Sequence, residues 1–236
     1  MSEEFKPERA LVIVAHPDDP EFSAGGTVAK WADEGIEVSY VIVTDGSKGT
    51  DDTTISKDEL VAMRVKEQQA AANVLGVRNV VFLGHTDGEI VPDLALRREL
   101  VKVIRQYRPD IVVTGDPQTL ITSFNTINHP DHRAVGLATL DAIFPAARNH
   151  NYFPESLGDG LEPVYVKQVY LSGTLNPDTW VDVSDTFERK IASLREHKSQ
   201  IKDMDGLAQR MRERMRTPES AEETPVYREG FRLLKL

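Results

Sequence analysis

The chain has no cysteine, which removes disulfides, thiolate nucleophiles and sulfur-ligated metal sites together. Any metal would have to be held by imidazole and carboxylate. It also lacks an apolar run near the roughly 18 residues that a membrane span needs. Its first residues, MSEEFKPERA, are acidic and polar where a signal peptide is basic and then apolar. A cytoplasmic location is the expectation. Positive charge is scarce: 28 Lys and Arg stand against 38 Asp and Glu, for a net charge of −10. The average surface therefore repels a nucleic-acid backbone or an anionic membrane. No Gly-x-Gly-x-x-Gly follows the first apolar run and no Gly-x-x-x-x-Gly-Lys-Ser/Thr occurs anywhere, so the phosphate cradle of a nucleotide-binding protein is missing.

What is present is the composition of a globular protein, 236 residues with 40% hydrophobic and 28% charged, enough for one sizeable core and one domain. The domain core is expected over about residues 10–202, with 203–236 as a charged C-terminal extension packing on the domain or on a neighbouring subunit. Hydrophobic period predicts strands at 10–15, 37–44, 79–84, 109–115, 164–173 and 179–184. Helices are predicted at 24–35, 58–76, 94–107, 130–144 and 185–204. Ser56 and Glu59 stand as a capping box before the second helix, Gly76 as its stop, Asp93 as a cap for the third, and Pro130 at the first position of the fourth. Repeated strand-then-helix units imply an α/β fold: a three-layer sandwich with a mostly parallel, Rossmann-like sheet. If the chain winds in the order 3-2-1-4-5, the first and fourth strands meet where the order reverses, the place where open parallel sheets bind ligands.

The two most chemically loaded segments leave those two strands: AHPDDPEF (15–22) and the loop containing HPDHRAVG (129–136). One histidine in such a turn is ordinarily a satisfied polar residue, and His85 reads that way; two His-Pro-Asp motifs at one sheet edge reverse that reading. Two imidazoles and one carboxylate make a ligand set for zinc with open positions left for water and substrate. Zinc so held lowers the pKa of a bound water to about 7 and polarises a carbonyl, as amide or ester hydrolysis requires. The surplus acids can supply a general base and a carboxylate that orients a histidine.

The paired motifs in this order resemble the LmbE-like, or PIG-L-like, family of zinc-dependent N-acetylglucosaminyl deacetylases. GGT (25–27), TDG (44–46), Arg64 and Glu67 in RVKEQQAAANVLG, RPDIVVTGDP (108–117) and His197 in HKSQ agree with it, so the likeness covers most of residues 10–202. Carried over by position, the resemblance implies that His16, Asp19 and His132 ligate zinc. It implies Asp18 as the general base, His129 as the group that stabilises the oxyanion or protonates the departing amine, and Asp131 as the carboxylate that orients it. Arg64 and Asp87 lie where the family contacts its sugar, and Tyr227 belongs to YREGF, which resembles a segment folding back near the active-site mouth. The implied substrate is a small N-acetylated amino sugar. Because family members are often oligomeric, frequently hexamers, a homo-oligomer is a further expectation.

Plainer readings stand beside these. Glu21 serves a helix dipole, Asp116 a turn before Pro117, Gly25 and Gly26 a tight helix entry, Arg64 and Arg148 a solvated surface, and the YREGF tail a subunit contact. Two rival functions use the same residues. One is a non-haem Fe(II) oxygenase with a His16-x-Asp18…His132 triad, which the alternation of strands and helices disfavours. The other is a non-catalytic, metal-dependent sugar-binding protein, which has no need of Asp18 beside the ligands.

Overall fold

Strand β1 (Arg9–Val14) sends Leu11 and Ile13 to one side of the sheet and Ala10, Val12 and Val14 to the other, and all five are buried. Both faces of the strand are covered, which is why its sequence is a continuous apolar run. The structure is a computed structural model that describes residues 5–218, 220, 221 and 223–236. After β1 come α1 (Asp19–Asp33), β2 (Glu37–Thr44), α2 (Lys57–Leu75), β3 (Asn79–His85), α3 (Leu94–Tyr107), β4 (Ile111–Gly115) and α4 (Pro130–Asp141). The chain continues through α5 (Glu155–Gly158), β5 (Gln168–Ser172), β6 (Thr179–Asp182), α6 (Phe187–Leu194), α7 (Met204–Met215) and β7 (Arg228–Lys235).

The sheet order is β3-β2-β1-β4-β5-β7-β6, parallel from β3 through β5 and antiparallel where β7 joins β5 and β6. Helices α1 and α2 cover one face through Val28, Trp31, Ala72 and Leu75, while α3 and α4 cover the other through Leu96, Leu100, Val135 and Ala138. The architecture is the α/β sandwich expected, and β1 and β4 are the central neighbours at the switch point. The Ser56–Glu59 capping box is formed, Gly76 ends α2 at φ 81°, and Asp93 accepts from Leu96 N. No helix among the described residues is long and apolar enough to cross a membrane.

Three elements differ from expectation. Helix α1 begins at Asp19, with Pro20 in its first turn, and breaks at Ala24. The helix expected over 185–204 stops at Leu194, and a turn through His197 precedes α7. Tertiary demand overrides propensity there, because His197 is drawn into the interior to meet Glu21. The segment after 203 is no appendage, since β7 lies inside the sheet with Phe231 fully buried. Its alternating positions Glu229 and Phe231 face inward, which the charged surroundings conceal from a reading by hydrophobic run.

One buried cation organises the long loop before β5. The Arg105 guanidinium donates to five backbone carbonyls, those of Ala146, Ala147, Asn149, Tyr152 and Phe153, and to Ser156 Oγ. Burial pushes its pKa down, yet the charge persists because the carbonyl dipoles surround it. Arg105→Met is expected to lose about 3 kcal/mol or more of stability in chemical denaturation, since several buried carbonyls would be stranded. A loss below about 1 kcal/mol would show that these carbonyls find other partners.

Candidate metal centre and active site

β1 delivers His16 and Asp19 from its carboxyl end, and α4 delivers His132 from its first turns. α4 can approach because Gly136, one turn beyond His132, has no side chain: a Cβ there would lie 2.3 Å from the carbonyl oxygen of Gly115 at the end of β4. Three donor atoms converge as a result. His132 Nε2 is 3.1 Å from Asp19 Oδ1, His16 Nδ1 is 3.4 Å from Asp19 Oδ2, and the two ring nitrogens are 3.2 Å apart.

The outer partners of the rings assign their tautomers. Asn128 Nδ2 donates to Thr119 O, which leaves Asn128 Oδ1 as an acceptor, 3.1 Å from His132 Nδ1. His16 Nε2 lies between Asp87 Oδ1 at 3.0 Å and Asp131 Oδ2 at 3.2 Å. Each outer nitrogen therefore carries the hydrogen, and both inner nitrogens present lone pairs beside a carboxylate. Three acceptors facing one another with no donor among them call for a cation. A four-coordinate ion about 2.0–2.2 Å from each ligand needs donors roughly 3.3–3.6 Å apart, close to the spacing found, so the residues fit a zinc-like ion. Without one, a proton takes that role: burial opposes charge on His16, but Asp19 and Asp87 outweigh it and raise its pKa to about 10. An ion taken up there would displace that proton.

Asp131 is fully buried and its carboxylate is committed, accepting from Gly88 N at 2.7 Å, Ile90 N at 3.2 Å and His16 Nε2. Its expected part in orienting His129 is taken by its main chain: Asp131 N donates to His129 Nδ1 at 3.3 Å, while the carboxylate stays 4.0 Å away. His129 also caps α4 in this way, so neutral His129 carries its hydrogen on Nε2. Its ring meets that of His16 edge-on at 4.6 Å. A second group of potential metal donors, His16, Asp87, His129 and Asp131, shares His16 with the first. Asp131 is less available there, because two backbone N–H groups already use it.

Asp18 stands between these groups in the left-handed region, at φ 87°, where a non-glycine residue is held against its preference. Gln68 Oε1 accepts Asp18 N at 2.8 Å, and Arg64 Nη2 reaches Pro17 O at 2.7 Å and Asp18 Oδ2 at 3.3 Å. Behind Gln68, Glu21 accepts from Gln68 Nε2 and pairs with His197 Nε2 at 3.1 Å, all of it buried. Burial, with the Asp19 charge next to it and the Arg64 charge opposing, moves Asp18 up to about 7.

Of the three residues expected at the substrate, Arg64 and Asp87 are buried behind the loop that carries His16 to Asp19, where they hold Asp18 and His16. Tyr227 stacks on Phe187 with ring centroids 4.0 Å apart. Gln68 lies in RVKEQQAAANVLG, Glu229 in YREGF and Asn128 just ahead of HPDH, so the sequence shows the segments while the geometry shows what these side chains hold. A cavity of about 940 Å³ opens beside Asp19 and His132, walled by Phe22, Phe124 and Trp180 and by Arg214.

Comparison with known proteins shows the family of the chain. The family described as "PIG-L: GlcNAc-PI de-N-acetylase" matches residues 11–143, which contain all the residues of both motifs. Diacetylchitobiose deacetylase from Thermococcus kodakarensis is 37% identical over 195 residues, covering 82% of this chain and 70% of that one. A probable N-acetyl-alpha-D-glucosaminyl L-malate deacetylase 2 from Bacillus anthracis is 26% identical, covering 84% of each chain. The structure of N,N'-diacetylchitobiose deacetylase from Pyrococcus horikoshii, in complex with its inhibitor, superposes with a TM-score of 0.87 at 32% identity, covering 98% of this chain and 85% of that one. The fold, at 23% identity and a TM-score of 0.79, also matches that of GalB, a 4-carboxy-2-hydroxymuconate hydratase, so fold by itself does not name a reaction.

Proposed function

The chain belongs to the PIG-L, or LmbE-like, family of N-acetylglucosaminyl deacetylases, and from that premise we propose that it is a zinc-dependent N-deacetylase of small molecules containing N-acetylglucosamine. The observation that carries the reading is the convergence of His16, Asp19 and His132 as three acceptors, with Asp18 in the same turn. Neither a facial triad through Asp18 nor a purely structural metal fits as well, because Asp19 completes the donor set and Asp18 remains beside it with an elevated pKa.

A zinc ion held there supplies Lewis acidity, making a water more acidic and polarising the acetamide carbonyl. Asp18 takes the proton of the attacking water, a role suited to a carboxylate whose pKa has been brought toward neutrality. His129 Nε2–H donates to the oxygen of the tetrahedral intermediate. The C–N bond then breaks, giving acetic acid, which ionises in solution, and the free amine, with Asp18 returning its proton to the leaving nitrogen. Arg64, Gln68 and Asp87 hold this constellation in place. The cavity walled by Phe22, Phe124 and Trp180 suits a sugar ring, whose apolar faces pack on aromatic side chains while its hydroxyls stay hydrated.

The test is amine release from diacetylchitobiose, N-acetylglucosaminyl malate and N-acetylglucosaminyl inositol by protein of measured metal content. Turnover of at least one is expected, lost on chelation and restored by zinc. Zinc-loaded protein that releases no amine from any of the three would overturn the reading.

A further inference from the structure

Helix α1 is interrupted at Ala24, where φ −147° and ψ 16° leave the helical region. In an unbroken helix the N–H of Gly26 would bond to the carbonyl of Phe22. Here each has a side-chain partner instead. Lys190 Nζ donates to Phe22 O at 2.9 Å, while Glu229 accepts Gly26 N at 3.0 Å and Thr27 N at 2.7 Å. The two side chains are themselves paired at 2.5 Å, and both are almost fully buried. An ion pair thus sits in the gap of the helix, its cation on the orphaned acceptor and its anion on the orphaned donors, as the partial charges of two helix ends demand.

The first piece of α1 is the turn that carries Asp19. Its hydrogen bonds run back to the catalytic loop, since Phe22 N and Glu21 N both donate to Asp18 O. Holding Phe22 O therefore fixes the plane from which the Asp19 carboxylate reaches His132. We propose that Lys190 and Glu229 are positioning residues for the metal centre, spanning the break in α1 so that Asp19 stays aimed at the ion. Both lie outside residues 11–143 that match the family. Lys190 comes from α6 and Glu229 from β7, so the C-terminal third of the chain sets the geometry of a site built from the N-terminal two thirds. Buried charge also has a reason here, because a hydrophobic pair of the same volume would pack without satisfying the broken helix.

The inference rests on the metal-site reading above. It is tested with Glu229→Gln, Lys190→Met and the double variant, each checked for cooperative unfolding. Zinc affinity is measured by competition with a chromophoric chelator, and kcat and KM on the best substrate. A single variant leaves a buried charge uncompensated and can fail to fold, whereas the double variant removes both charges and keeps an amide oxygen for one N–H. Zinc affinity is expected to fall about tenfold to a hundredfold, as for other groups that orient metal ligands, with kcat falling and KM little changed. The double variant should be impaired by less than the product of the single effects. Folded variants with wild-type zinc affinity and kcat would overturn the positioning role and leave the pair as scaffold only. Wild-type protein that binds no zinc would overturn the metal reading itself, so the two failures are distinguishable.

Discussion

Asp18→Asn is expected to bind zinc as the wild type does and to lose about a thousandfold or more in kcat, the range set by removing a positioned general base. The substitution is nearly isosteric, and asparagine tolerates the left-handed backbone at φ 87° as well as aspartate does. Gln68 would still accept the main-chain N–H of residue 18, so the loop keeps its shape and Asp19 its aim. The lost element is an oxygen able to take a proton. Wild-type turnover should fall as the pH is lowered, because protonated Asp18 is not a base. Burial and the Asp19 charge place that titration near 7 without a metal. A dication beside Asp19 pulls it lower, so the acid limb of the profile belongs below 7. The variant should lack this limb altogether. A D18N protein within tenfold of wild-type turnover at neutral pH would remove the base role, and one that loses zinc would make Asp18 a ligand.

How far the sequence alone discloses such a site depends on what kind of signal each residue leaves. His16, Asp18 and Asp19 follow directly on the apolar run of β1, His129 and His132 close the long loop that leaves β4, and the parallel winding order sets those two strands side by side. Local pattern and topology bring them forward as candidates, and the resemblance to the family divides the roles among them. Arg64 and Asp87 are visible as residue types but not as orientations: both are turned inward to hold Asp18 and His16, which follows from side-chain contacts 46 and 71 positions away in the chain. Glu21, Gln68 and His197 form one buried network drawn from α1, α2 and the turn after α6, and no spacing rule relates those segments. The same network explains why a helical pattern over 185–204 breaks. YREGF is legible as a likeness, but strand β7, which it opens, is not legible as part of the sheet. Its inward positions are Glu229 and Phe231, and a buried acid among charged neighbours reads as surface until its partners Lys190, Gly26 and Thr27 are known.

His129→Ala is expected to keep zinc and lose about a hundredfold to a thousandfold in kcat, the effect of removing one donor to a developing oxyanion. The ring is not among the three converging donors, and its Nδ1 already accepts the N–H of Asp131. Loss of zinc would instead assign the ion to the second group, His16, Asp87, His129 and Asp131. Burial, together with the charges of His16 and His132, holds the His129 pKa below its ordinary value, and a bound dication acts in the same direction. The residue therefore enters the reaction neutral, with Nε2–H available as a donor. That separates two roles by the leaving group. If His129 served as the acid that protonates the amine, its loss would matter little for a substrate that expels a weakly basic group. If it stabilises the oxyanion, the defect should be of similar size for an N-acetyl sugar and for an activated acetyl ester of the same sugar, because both pass through the same tetrahedral oxygen. His129→Gln, which restores an N–H donor without a titratable proton, should recover part of the activity in the second case and none in the first.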